Sequence, residues 1–400
     1  MAGKKSIDQQ DVMLKGPLAD LFPKVSFAVG AIALLASVFF AVSDSHHFYY
    51  SYLVAFCFFM TLTLGSMFFV LMQHISRAGW SVAVRRIPET LMQNIPLMVV
   101  FFIPVLIGAH DLYHWTHLED VAKDHLLRVK YPYLNMTFFT IRAVIFFGAW
   151  TWIARKFYKA SVDQDESGEG GLTLNLQKSA TFSIIIFALT LTFAFIDWVM
   201  SITPHWYSTI FGVYFFAGSM VVAFAVLGLV MILLRRYGYL KNIVTLEHYQ
   251  DIGKFLYGFN IFWSYIAFSQ YFLIWYANVP EETVWFTEHF NGSWNTVAAL
   301  LAIGHFGIPF VIFMSRHAKR NLKFHAAVAT WLIFMHIVDL YWIIMPNVSK
   351  SGIHVTLMDI VPFIGIGGIY FGVFLNRLKS KALVSIKDPR LDESLSFHNH

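Results

Sequence analysis

The sequence predicts an all-α polytopic membrane protein with about ten transmembrane helices. Three observations predict it. Of 400 residues, 57% are hydrophobic and 13% charged, against roughly 25% charged in soluble proteins. Apolar stretches of about 20 residues recur, the length that crosses a bilayer. Lysine and arginine fall almost wholly in alternate connections, as expected when one side of a membrane retains them.

The spans read as 22–43, 50–74, 92–112, 134–154, 179–203, 209–234, 253–276, 295–315, 324–346 and 353–376. Residues 1–21 and 377–400 are then polar tails flanking a membrane domain of 22–376. The first span resembles a signal peptide only at Ala41-Val42-Ser43. Its apolar run is too long, and the polar lead before it too extended, for a cleaved segment, so a retained helix is expected. The tails and the connections after even-numbered spans hold 24 Lys and Arg, the opposite connections 4, and Arg142 stands alone inside span four. This split places both termini in the cytoplasm. It also accounts for the net charge of +5 without nucleic acid. The single Cys57 excludes a disulfide framework or a cysteine-held cluster.

Taken in order, the N-terminal tail is expected to lie on a partner. Ser76–Thr90, with Trp80, Arg85 and Arg86, reads as a short interfacial helix. Span three carries Pro96 and Pro104 and ends in His110-Asp111-Leu112-Tyr113-His114-Trp115-Thr116-His117. That cluster suits either an aromatic belt at the membrane edge or a polar mouth at the periplasmic side built on His110 and Asp111. Arg142 lies ~12 Å below the outer end of span four, too deep to snorkel, and needs an internal anion. Asp163–Leu172 reads as a flexible linker. Span seven is polar and aromatic, so it should face other helices or a partner. The loop after it, 277–294, holds Glu281, Glu282 and Glu288 and should contact another subunit.

The centre of the reading is a pair of carboxylates. Asp197 ends an apolar run and is followed seven residues later by Pro204, and Asp339 is followed at the same spacing by Pro346. Each lies ~10 Å below the outer face. A carboxylate at a buried helix centre costs about 3 kcal/mol on insertion scales, so each requires compensation. Ser183, Thr190 and Asp197 recur at seven-residue steps on one helical face. The stripe fits a proton relay, or hydroxyls bonded only to their own backbone. His305 in span eight, His336 in span nine and Asp359 in span ten complete the candidate set. If Arg142 holds Asp197, that site is structural, whereas Asp339 beside His336 is the better candidate for proton loading and release. Spans 2–5 and 6–9 share orientation, both end in the Asp-to-Pro pattern, and Gly65-Ser66-Met67 is matched by Gly218-Ser219-Met220. Two four-helix bundles in a parallel internal repeat are expected, with spans one and ten peripheral.

No span carries histidines 13 or 14 apart for paired haem ligation, which leaves only His305 with His336 as a haem pair. No nucleotide fingerprint is present. Several stretches do resemble a known family. They are His110-Asp111-Leu112-Tyr113-His114-Trp115, Asp197-Trp198 to Tyr207-Ser208, and Phe268-Ser269-Gln270-Tyr271 through Pro280-Glu281-Glu282. His305 through Pro309-Phe310 to Ser315-Arg316, and Asp339-Leu340-Tyr341-Trp342 to Pro346, belong with them. Together they are similar to the F subunit of bacterial alternative complex III, related to the ten-helix anchors of polysulfide and nitrite reductases. The resemblance implies a quinol:acceptor oxidoreductase complex oxidising menaquinol or ubiquinol. Its partners would be a second ten-helix quinol-binding subunit, an iron–sulfur protein, multihaem and monohaem cytochromes c and, in some assemblies, a terminal oxidase. It implies no cofactor in this chain, the haem c and iron–sulfur clusters residing in the partners. A secondary transporter with midplane carboxylates, or a purely structural anchor, are the competing readings.

Overall fold

The computed structural model describes residues 9–398. Those residues form helices and turns with no strand. Ten long helices dominate: α1 (Phe22–Ser43), α2 (Ser45–Ile75), α3 (Arg86–Ile107), α4 (Met136–Ser167), α5 (Gly170–Trp198), α6 (Phe211–Arg236), α7 (Leu246–Ala277), α8 (Trp294–Met314), α9 (Leu322–Ile344) and α10 (Leu357–Leu378). Among the described residues, nine are long and apolar enough to cross a membrane, and the chain is a multi-pass membrane protein. The tenth, α7, spans 32 residues but carries Gln250, Asp251, Lys254, Asn260, Ser264, Ser269 and Gln270.

Local chemistry sets the helix starts. The Asp44 carboxylate accepts from His47 N at 3.1 Å and begins α2. Asn135 accepts from Phe138 N at 2.9 Å and begins α4. Asn321 does the same for α9 through Lys323 N and Phe324 N. Such side chains satisfy amide donors that the first helical turn leaves unpaired.

Helix α2 is buried along nearly its whole length, whereas α1 turns Leu35, Val38 and Phe39 outward. Successive contacts run α2–α3–α4–α5 and back to α2, and likewise α6–α7–α8–α9 and back to α6. The two groups meet where α2 packs on α6. Peripheral α1 packs on α10, where the Gly30 and Gly368 backbones touch. Small residues permit this approach, and without a hydrophobic drive between helices in lipid, close packing stabilises the pair.

Four expectations change. The tail before α1 folds on the chain itself: Leu240 N donates to Asp11 O at 3.1 Å and Leu383 N to Val12 O at 2.8 Å, with Val12, Leu14 and Leu18 buried. Lys4 and Lys5 lie outside the described residues. The segment 76–90 does hold a short helix, the 3-10 turn of helix Gly79–Ala83 leading into α3, but it is buried against the bundle instead of lying on a surface. The linker at 163–172 is largely helical, because α4 runs to Ser167 and α5 starts at Gly170, with Gly168 at φ 70° making the break. Span ten starts at Leu357, since the Thr356 hydroxyl accepts from Met358 N at 3.2 Å and sets the cap there.

Candidate functional site

The two aspartates sit in different chemistry. On α5, Asp197 is fully buried and held by Arg142 of α4. Arg142 Nε donates to Oδ2 at 2.6 Å and Nη2 to Oδ1 at 3.1 Å, a two-pronged ion pair. The third nitrogen, Nη1, donates to the Tyr133 carbonyl at 2.9 Å. The guanidinium also lies 3.8 Å from the Tyr133 ring centre and 4.4 Å from that of Phe138. Phe56, Phe102, Phe147 and Trp150 pack on Trp198, next in sequence. The pair expected from a lone Arg and a lone Asp in apolar runs is therefore formed.

The hydroxyl stripe below it does not connect. Thr190 Oγ1 donates to Ile186 O at 2.7 Å and accepts from Trp150 Nε1 at 2.8 Å. Ser183 Oγ is buried with no hydrogen-bond partner. Among the described residues, no hydrogen bond links Ser183, Thr190 and the Asp197 carboxylate.

Asp339 on α9 is equally buried, but its direct partners are neutral. The Tyr214 hydroxyl of α6 donates to Oδ1. Trp263 Nε1 of α7 donates to Oδ2 at 3.2 Å. His336 Nδ1 is 4.0 Å from Oδ2, beyond hydrogen-bond range. The other imidazole nitrogen, Nε2, is 3.0 Å from Thr61 Oγ1 of α2. Thr61 spends its one proton on the Phe58 carbonyl at 2.8 Å. In that arrangement His336 Nε2 donates to Thr61, and the neutral ring presents a bare Nδ1 toward Asp339. Nδ1 has no hydrogen-bond partner.

His305 extends this centre through Trp263. Its ring stacks on the indole at 3.7 Å between centres, and Nδ1 lies 3.1 Å from Asn260 Oδ1. Its Nε2, and the Asn260 amide nitrogen, have no partner. The backbone there is a π-helical turn, Leu301–Gly307, just before Pro309. Such single wide turns inside α-helices favour functional sites. Trp331 Nε1 donates to the Gly304 carbonyl at 2.7 Å and so satisfies one of the groups in this turn. A cavity of ≈ 500 Å³ lies beside the centre, walled by Tyr214, Trp263, Gln270, Tyr271, Trp285 and Phe306.

The remaining candidates lie elsewhere. Asp359 is in the first turn of α10: it accepts from Thr356 N at 2.7 Å, from Ser51 Oγ at 2.5 Å and from His47 Nε2 at 3.1 Å. It caps its own helix and ties α10 to α2, in the first helical turn and not several residues into the span. His110 is exposed, and Asp111 accepts from Ser45 Oγ at 3.4 Å.

Sequence reasoning missed two groups. Thr61, Tyr214 and Trp263 make the direct contacts around Asp339 and His336. At the basic end of the bundle, Glu89 accepts from Arg85 Nε at 2.8 Å and from Arg86 Nε at 3.1 Å. Arg85 Nη2 reaches Asp388 Oδ2 at 2.7 Å, and Arg86 Nη2 reaches Asp165 Oδ2 at 2.8 Å. This buried network fastens the C-terminal tail to α3 and α4. The spacing Arg85-Arg86-x-x-Glu89 was its signal, since residues three and four apart meet on a helix. No protein-family model matches this chain, and a search of curated proteins returns no match.

Proposed function

We propose that the chain is a membrane subunit of a quinol-oxidising respiratory complex of the alternative complex III kind, and that its second bundle moves protons through Asp339. One contrast carries the reading. Asp197 is neutralised by an arginine at 2.6 Å, whereas Asp339, just as buried, is hydrogen-bonded among the described residues by a hydroxyl and an indole N–H. A buried carboxylate without a cation is costly, and a proton is the compensating charge available to it. The bare His336 Nδ1 at 4.0 Å is an adjacent proton acceptor. Intramembrane ionisable groups are retained chiefly where they work.

The wider assignment rests on the resemblance of the segments at His110, Asp197, Phe268, His305 and Asp339. In this reading the membrane is a bacterial cytoplasmic membrane with both termini inside, as the 24-to-4 split of basic residues supports. In this reading α2–α5 and α6–α9 are the two halves of a parallel repeat, which the two contact circuits support. Haem c and iron–sulfur clusters belong to partner subunits, and menaquinol or ubiquinol is the substrate of the whole complex. A transporter reading has less support, because the π-helical break in α8 has no counterpart in α4, its equivalent under the repeat. The test is purification from the native membrane in mild detergent. The proposal expects c-type haem absorbance and an iron–sulfur polypeptide to copurify in fixed ratio. Isolation of the chain free of both, with its fold intact, would contradict it.

A further inference from the structure

The segment after α3 begins with a short helix, Ala109–Leu112, a 3-10 turn, His114–Thr116, and a second short helix, Leu118–Lys123. Three side chains converge there, spaced three residues apart: His114, His117 and Asp120. Their donor atoms all lie within 4.8 Å of one another. His114 Nδ1 and His117 Nδ1 each stand 3.6 Å from the same oxygen, Asp120 Oδ2. We propose that these three side chains bind one divalent transition-metal ion of the Zn²⁺ class.

Two geometric arguments support a shared ion. First, 3.6 Å is too long for a hydrogen bond. Ligands at about 2.0–2.2 Å from a tetrahedral zinc stand roughly 3.4 Å from one another, so the spacing matches an edge of such a site. Second, the tautomer of His117 is fixed. Its Nε2 is 2.8 Å from the His110 carbonyl oxygen. A carbonyl only accepts, so Nε2 is the donor, and a neutral ring then turns the bare lone pair of Nδ1 toward a carboxylate oxygen. Two lone pairs so placed repel unless a cation stands between them. A backbone carbonyl holding the far nitrogen is also the usual outer support of a metal-bound histidine. The His110 ring, stacked on His117 at 4.0 Å, keeps the plane of the ligand.

The site is open to solvent, with side-chain exposures of 50% at His114, 34% at His117 and 40% at Asp120. Water can complete a tetrahedron around three protein ligands. Imidazole and carboxylate together suit zinc and its neighbours better than calcium or magnesium, which take oxygen ligands. A bound ion would clip the turn to the following helix at the rim of the bundle.

The test uses the full-length protein in detergent, carrying an affinity tag without histidine and stripped with chelator. Zn²⁺ is titrated by calorimetry and Co²⁺ by visible absorption. The proposal expects one saturable equivalent with the spectrum of tetrahedral cobalt. That equivalent should be lost in His117→Asn and in Asp120→Asn, and kept in His354→Asn, an exposed histidine elsewhere. Absence of a saturable equivalent in the unaltered protein overturns the proposal without recourse to any variant. So does an equivalent that survives both ligand substitutions.

Discussion

Gly65 of α2 lies against Ser219 of α6 so closely that a Cβ at position 65 would stand 2.1 Å from the Ser219 carbonyl oxygen. Both residues belong to the matched Gly-Ser-Met tripeptides, which therefore meet where the two helix groups join. Backbone, and not a movable side chain, blocks the space. Gly65→Ala should lower the melting temperature in detergent and the folded yield, at a cost of roughly 1–3 kcal/mol for overpacking. Gly148→Ala, with nothing within 4 Å of its added carbon, is the control and should melt like the parent. Equal melting of the two would remove the close crossing from the account.

The Arg142–Asp197 pair predicts a non-additive mutant cycle. Arg142→Leu leaves a buried carboxylate alone and Asp197→Leu a buried guanidinium, each costing on the order of 3–5 kcal/mol. The double replacement strands neither charge and should recover much of the loss. Additive losses in thermal melts would show that the two groups do not act as a pair.

Glu89 is fully buried and holds both Arg85 and Arg86. Glu89→Gln should loosen the tail that Asp388 anchors, so limited proteolysis should cut the region 381–396 much faster than in the parent. Asp388→Asn should do the same more mildly, because it releases Arg85 alone. An unchanged cleavage pattern in both would separate the network from tail docking.

His289, between α7 and α8, gives a pH dependence. Burial pushes its imidazole down to about 4 from the ordinary 6.5, against the opposing pull of the Ile343 and Trp285 carbonyls. The unfolded ring takes up a proton near 6.5 and the folded ring only near 4. Between those values the unfolded state binds more protons, so this contribution to stability is present above 6.5 and is lost as the pH falls toward 4. Melting temperature should drop across that window, and His289→Gln should make the drop smaller. A slope unaffected by the substitution would assign the effect to other groups.

The legible parts of the site were those with a single physical solution. Arg142 is alone in an apolar span and cannot reach water, so a buried anion had to meet it. Asp197 was the carboxylate at matching depth. The partners of Asp339 were not legible, because Tyr214 and Trp263 sit in apolar and aromatic runs where the same residues also serve plain packing. The depth of Asp359 was misjudged because Ile353 and Val355 extended the apolar run, while the helix begins only at the Thr356 cap. The Glu89 network was partly written in the i, i+3 and i, i+4 spacing. Its other half, Asp388 with Ser385, comes from a tail some 300 residues away and needs the folded chain. Helix positions followed from apolar length, and a long helix, α7, forms where the seventh span was read, although its polar side chains keep it out of the nine that are long and apolar enough to cross a membrane.

The proton account rests on Asp339, and Asp339→Asn in vesicles containing the assembled complex tests it most directly. Asparagine keeps the size of the side chain and can accept from Tyr214 or Trp263, but it cannot take up and release a proton. The measurement is proton movement per electron transferred from quinol to acceptor. The account predicts that electron transfer continues while the coupled proton movement falls. An unchanged ratio in a fully assembled complex would contradict it and leave Asp339 a structural residue.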